Sequence, residues 1–188
     1  MQKYLQDNVF LWYTVFMGYD YKKTYEKSAA FYAARPWAKR TLVLVNYALT
    51  WLFIAVYAAL VVYAWWAKSG AWKIGAVIGF PVLCLCFVGV LRRLIPRPRP
   101  YSEAGANIRP FIQKEGNDNK SFPSRHLASA FVIASAFLPL LPWLSGVLYA
   151  LGCVLGYARF ALGLHYPSDL LGGAVLGLLC GLPIFWLF

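Results

Sequence analysis

Both histidines of this 188-residue chain sit in short polar islands beside long apolar runs: His126 closes "KSFPSRH" and His165 lies within "ARFALGLHYPSD". Around them stand Ser124, Arg125, Arg159 and Asp169, and a third island, "RRLIPRPRP", supplies Arg92 and Arg99. Arginine presents a planar fork that matches phosphate oxygens. Several arginines converging on one point would bind a dianionic phosphoryl group and stabilise charge in an in-line displacement. One histidine then attacks phosphorus and the other protonates the leaving oxygen. Asp169 follows His165 by four residues with Pro167 between them. Proline suits the first turn of a helix, and a carboxylate there can accept a proton from His165 and fix its tautomer. Pro123 is expected to open another helix, whose free N–H groups would also face an anion.

Singly, each residue has an ordinary explanation. Arg92 and Arg93 flank an apolar span, His126 caps a helix at an interface, and Asp169 matches a helix macrodipole. Jointly, three islands of complementary chemistry point to phosphoryl transfer. No Cys/His or Asp/Glu cluster has metal-ligand spacing, so the expected chemistry uses neither a metal nor another cofactor. Cys84, Cys86, Cys153 and Cys180 all lie in apolar runs and read as small packing residues.

The elements that must position these groups are membrane helices. The chain is 61% hydrophobic and 13% charged, with a mean hydropathy of +0.56. Its apolar residues fall in long uncharged blocks, and a bilayer core needs about 20 such residues per helix. The fold class is therefore all-α, a polytopic membrane bundle of five to six transmembrane helices. Spans are predicted at roughly 41–66, 74–94, 126–141, 144–160 and 169–188, the third and fourth joined by a tight turn containing proline. Residues 1–40 form a separate N-terminal segment. Val9–Met17 is too short to span alone, and the Tyr- and Lys-rich stretch after it reads as an amphipathic interfacial helix or a basic flank of the first span. Residues 41–188 form the membrane-embedded domain. Five spans bring the long loop after Arg92 and the Ala158–Asp169 island to one side, so all the reactive residues can meet.

The net charge of +11 fits an anionic membrane surface or an anionic substrate rather than nucleic acid, because the chain offers no soluble basic domain to carry it. The partners expected are a lipid phosphate and the bilayer, with no nucleic acid. The oligomeric state is not encoded in these features.

The three islands together resemble the type 2 phosphatidic acid phosphatase superfamily, which includes lipid phosphatases and vanadium haloperoxidases. Its signature has Lys, six residues, then Arg-Pro; here Arg92 stands for the Lys, with Arg99-Pro100 following. The other Arg-Pro pair, Arg97-Pro98, would require a base at position 90, which is Val90. The second part, Pro-Ser-Gly-His, is Pro123-Ser124-Arg125-His126 with Arg for Gly. The third, Ser-Arg, five residues, His, three residues, Asp, is matched from Ala158 to Asp169 except at Ala158 itself.

The resemblance implies that His165 is the nucleophile and forms a phosphohistidine. It implies that Asp169 orients His165 and that His126 is the general acid and then the base. Arg92, Arg99 and Arg159 would bind the phosphoryl oxygens with Ser124 and the backbone near Arg125, while Arg125 itself would bind a second phosphate or the headgroup, or point to the lipid interface.

The implied function is a membrane lipid phosphatase acting on polyprenyl diphosphate, phosphatidate or phosphatidylglycerol phosphate. A haloperoxidase is disfavoured by the short, membrane-embedded chain. A non-catalytic binder or transporter of phosphorylated lipids would need the arginines but not both histidines and Asp169. Sidedness has two opposed indicators. Excess Lys/Arg on the site side favours the cytoplasm, whereas relatives that recycle polyprenyl diphosphate face outward. The extracytoplasmic face of the cell membrane is the expectation adopted.

Overall fold

A computed structural model describes residues 21–67, 70–102, 106, 108–112 and 119–187. The apolar run Val9–Met17 and most of the polar loop tip before Lys120 lie outside the described residues. Six α-helices follow in order: α1 Tyr21–Ala33, α2 Pro36–Trp66, α3 Ala71–Leu94, α4 Arg125–Phe137, α5 Pro142–Ala161 and α6 Pro167–Gly181, continued by a 3₁₀ turn, Leu182–Leu187. Four of them are long and apolar enough to cross a membrane: α2, α3, α5, and α6 with its 3₁₀ extension. The protein is a multi-pass, all-helical membrane bundle.

The third predicted span, α4, has only 13 residues, a rise of about 20 Å. It survives as a short helix because it meets little lipid. Leu127, Ala128, Ala130 and every residue from Val132 to Phe137 are buried, as expected of a helix that is apolar all round. α3, α5 and α6 pack directly on it. Its small residues let those neighbours approach closely, the usual basis of helix association where lipid removes any hydrophobic incentive.

The closest approach is to α6. Gly173, Gly177 and Gly181 form a stripe at four-residue spacing, which places them on one face. A Cβ on Gly177 would sit 2.6 Å from the Ala128 carbonyl oxygen and 2.7 Å from the Phe131 Cβ. One on Gly173 would collide with the Ser124 carbonyl, and one on Gly181 with the Ser135 side chain. The stripe locks the axial register of the two helices, and that register sets the site.

Two of the boundaries that differ from expectation bear on the site. α2 begins at Pro36, five residues before the predicted start, because proline is well placed in a first turn and nothing in "PWAKR" breaks a helix. Its 31 residues rise about 46 Å, well beyond a hydrocarbon core of about 30 Å. The surplus polar turn reaches the loop layer, where Lys39 Nζ lies 4.9 Å from the Phe111 ring centre. Secondly, α4 starts at Arg125 with Ser124 at its N-cap, so Pro123 precedes the helix rather than opening it.

α1 turns Tyr21 and Tyr25 inward and leaves Lys22, Lys23, Glu26 and Lys27 exposed. Tyr25 donates a 2.7 Å hydrogen bond to the Arg109 carbonyl, and Tyr21 sets its ring edge-on to Tyr166, centres 4.7 Å apart. This face of α1 therefore rests on the two loops that carry the polar islands.

A glycine that touches nothing separates register from general helix effects. Gly177→Ala should lower the thermal unfolding midpoint of the detergent-solubilised protein, by about 1–3 kcal/mol in stability. Gly79→Ala, where a Cβ meets nothing within 4 Å, should leave it unchanged or raise it slightly. Equal effects at the two positions would remove the stripe from the account of the register.

Candidate active site

α3 and α5 end, and α4 and α6 begin, at the same end of the bundle. Backbone contacts stitch these termini together. The Ser124 N–H donates to the Asp169 carbonyl at 2.8 Å, Phe111 N–H to the Leu162 carbonyl at 3.2 Å, and Ser121 N–H to the Arg97 carbonyl at 3.0 Å. The three polar islands, far apart in sequence, become one layer.

α6 opens with Pro167 at its first position, as the sequence predicts. Asp169, in its first turn, is fully buried and accepts three hydrogen bonds. The Tyr166 N–H reaches Oδ2 at 3.0 Å, Arg97 Nη1 reaches Oδ1 at 2.6 Å, and the Ser121 hydroxyl donates to Oδ2. Nδ1 of His165 faces the same Oδ2 at 3.5 Å, an ion-pair distance longer than a hydrogen bond. Across the ring, His165 Nε2 lies 3.5 Å from Nη1 of Arg99, which also donates to the Leu164 carbonyl at 3.1 Å. His165 thus has a carboxylate behind it and a guanidinium in front.

Arg92, in the last turn of α3, and Arg159, in the last turn of α5, are both buried. Arg92 donates through Nε to the Pro123 carbonyl at 2.9 Å. Arg92, Arg99 and Arg159 lie near enough to repel one another. Three like charges held out of water at a membrane edge are costly unless an anion joins them. Arg159 Nε and Ser124 Oγ are buried without a hydrogen-bond partner among the described residues. Ser124 occupies the N-cap position, yet its hydroxyl does not cap the helix; its side chain is left for another acceptor or donor. His126 is partly buried in the first turn of α4, and Arg125 is exposed beside it, within electrostatic reach of Arg92.

All eight residues predicted from spacing therefore belong to one layer, with Arg125 at its outer edge. Among the described residues, Arg97 and Ser121 also join it. Arg97 is excluded as a phosphate ligand by the spacing rule, and its place here is different: it holds Asp169 and Ser168 and lays its guanidinium 4.2 Å from the Tyr166 ring centre. Its sequence signal was the charge itself, an arginine between two prolines in a loop that must fold back onto the membrane edge.

Burial pushes the His165 imidazole down to about 4; Asp169 pulls it up, and Arg99 and Arg159 push it further down. The ring is neutral near pH 7, so one nitrogen carries the proton and the other a lone pair.

The family model described as the PAP2 superfamily matches residues 70–188. Over 130 residues the chain is 32% identical to YbjG of Escherichia coli K12, a candidate undecaprenyl-diphosphatase by its name; the match covers 67% of this chain and 63% of that protein. It is 34% identical over 102 residues to the lipid A 4'-phosphatase of Bacteroides thetaiotaomicron, covering 52% of this chain and 44% of the relative. Among solved structures, the PAP2 type phosphatidylglycerolphosphate phosphatase of Bacillus subtilis superposes with a TM-score of 0.58 at 22% identity, covering 89% of this chain and 81% of that one. That likeness shows a shared fold.

The neutral state of His165 has a measurable sign. Between the ordinary imidazole value of about 6.5 and about 4, the unfolded chain binds a proton that the native site refuses. Thermal stability should fall as pH drops through that window. With only two histidines in the chain, imidazole nitrogen resonances of the labelled protein should show one ring that stays neutral until about pH 4. The His165→Asn variant should lose that resonance. Two rings titrating near 6.5 would contradict the buried, neutral site.

Proposed function

The chain belongs to the PAP2 superfamily, and from that membership we propose that it is an integral membrane lipid phosphatase. It removes phosphate from a lipid phosphate or diphosphate, with polyprenyl diphosphate, phosphatidate and phosphatidylglycerol phosphate as the candidate substrates. The observation that carries the reading is the position of His165, between the buried Asp169 carboxylate and the Arg99 guanidinium, with Arg92 and Arg159 alongside.

In the proposed mechanism the phosphoryl group binds among Arg92, Arg99 and Arg159, with Ser124 and the start of α4 completing the cradle. The proton on His165 Nδ1 points to Asp169, which leaves the Nε2 lone pair toward phosphorus. Nε2 attacks, the bond from phosphorus to the leaving oxygen breaks, and His126 gives that oxygen its proton. His126, now neutral, takes a proton from water; the resulting hydroxide displaces His165 from phosphorus and phosphate departs. Developing charge on the phosphoryl oxygens is met by fixed arginines, the electrostatic stabilisation that dominates such reactions. The arginines occupy the role a divalent cation has in other phosphatases, and Asp169, the one carboxylate of the site among the described residues, is already engaged by Arg97. The reaction accordingly proceeds without a metal.

We assign the site to the extracytoplasmic face. The Lys/Arg excess on the site side persists without Arg92, Arg97, Arg99 and Arg159, and we read the remaining loop charge as serving the anionic substrate rather than as marking the cytoplasm.

Purified protein should release phosphate from at least one of the three lipids in excess EDTA, and vanadate should inhibit it. His165→Ala should lose at least ~10³-fold in kcat. Full activity in His165→Ala would overturn the nucleophile assignment, and binding of the lipids with no phosphate release would favour the binder or transporter reading.

The face is tested in a background with Cys84, Cys86, Cys153 and Cys180 replaced by alanine. An impermeant thiol reagent should label Arg109→Cys on intact cells and Trp72→Cys only after permeabilisation. The opposite pattern puts the site in the cytoplasm.

A further inference from the structure

Arg97 lies outside the set of groups that would touch a phosphoryl oxygen, yet it is buried and points at the deepest charge in the site. We propose that Arg97, with Ser121, is a positioning residue: it holds the Asp169 carboxylate in the orientation that aims His165, and it keeps that carboxylate from competing with substrate for the phosphate-binding arginines. The proposal rests on the reading of His165 as nucleophile.

The geometry supports both halves. Asp169 Oδ1 is taken by Arg97 Nη1 at 2.6 Å, and Oδ2 by the Ser121 hydroxyl and the Tyr166 N–H, so the plane of the carboxylate is fixed from two sides. His165 Nδ1 approaches Oδ2 at 3.5 Å. Arg97 is itself held. Nη1 also reaches Ser168 Oγ at 2.8 Å, its guanidinium lies over the Tyr166 ring, and its own carbonyl accepts from Ser121. A side chain fixed at so many points transmits position rather than charge alone.

The second half follows from charge. Arg92 already feels the Asp169 carboxylate, in addition to Arg99 and Arg125. A buried carboxylate without its partner would draw in the nearest cation. Arg97 neutralises it, so Arg92, Arg99 and Arg159 keep their charge for the phosphoryl group. Tyr166, the ring under Arg97, is in turn braced by Tyr21 of α1, which itself meets Phe160 edge-on. The first described helix thereby supports the same clamp.

The test uses the full-length protein in detergent with the best lipid substrate found in the panel. Arg97→Met should reduce kcat about 10²-fold while KM stays within about twofold. Arg97→Lys should recover part of the loss. In Arg97→Met the His165 resonance should titrate at higher pH than in the parent, because the carboxylate behind it is no longer neutralised. A rise in KM matching the loss in kcat/KM, with the His165 resonance unmoved, would make Arg97 a phosphate ligand and overturn the proposal. So would unchanged kcat and an unchanged resonance. Should Arg97→Met fail to fold, Ser121→Ala removes the other side-chain donor to the same carboxylate; about a tenfold fall in kcat with a shifted His165 resonance supports the clamp, and parental behaviour in both sinks it. His165→Ala, run alongside, separates the two levels. If it is inactive while Arg97→Met is fully active, only the clamp is lost; if it is fully active, the nucleophile reading fails first.

Discussion

A carboxylate shut away from water at the rim of a membrane bundle has to be satisfied by the protein or it would not stay ionised. Asp169 is that group, and much of the architecture follows from satisfying it. The loop between α3 and α4 must double back so that Arg97 and Ser121 arrive together. The start of α6 must present the Tyr166 N–H. The start of α4 must lie close enough for Ser124 to reach the Asp169 backbone. Each of these contacts comes from a different segment, so the carboxylate acts as the common anchor of three otherwise separate islands.

The anchor would be useless if the helices could slide. α4 and α6 meet along glycines, and close contact over several turns admits one register. A displacement of one helical turn, about 5.4 Å, would carry His165 and Asp169 together away from Ser124 at the start of α4. Packing in the apolar interior and chemistry at the polar rim are thus a single constraint seen from its two ends. The lipid-facing surface, rich in exposed tryptophans and leucines on α2 and α3, carries no such demand.

Much of this was legible in the residues. Charge-free runs located the spans, and parity put the islands on one side. Two histidines, an aspartate and well-spaced arginines suggested the chemistry now proposed, because those types at membrane edges have few other uses. What escaped was contact across long sequence separation. Arg97 pairs with Asp169, and its backbone meets Ser121, through a proline-rich loop with no periodicity to read. Spacing rules report which residues share a helix face; they are silent on how irregular chain folds back. The start of α2 was misjudged for a related reason: charge in "PWAKR" marks where lipid ends, not where the helix ends. The inward face of α1 depended on tyrosines whose partners, Tyr166 and the Arg109 carbonyl, lie more than 80 residues away.

The long α2 has a consequence for how the protein would meet its substrate. Because that helix is longer than a hydrocarbon core is thick and its polar end joins the loop layer, the proposed reactive groups would stand at headgroup height rather than in bulk water. A lipid phosphate arriving there need never leave the leaflet. Its encounter with the protein is a collision in two dimensions, governed by mole fraction in the bilayer and lateral diffusion. Diluting the substrate with inert lipid or detergent should therefore slow turnover even when its total amount per millilitre is unchanged.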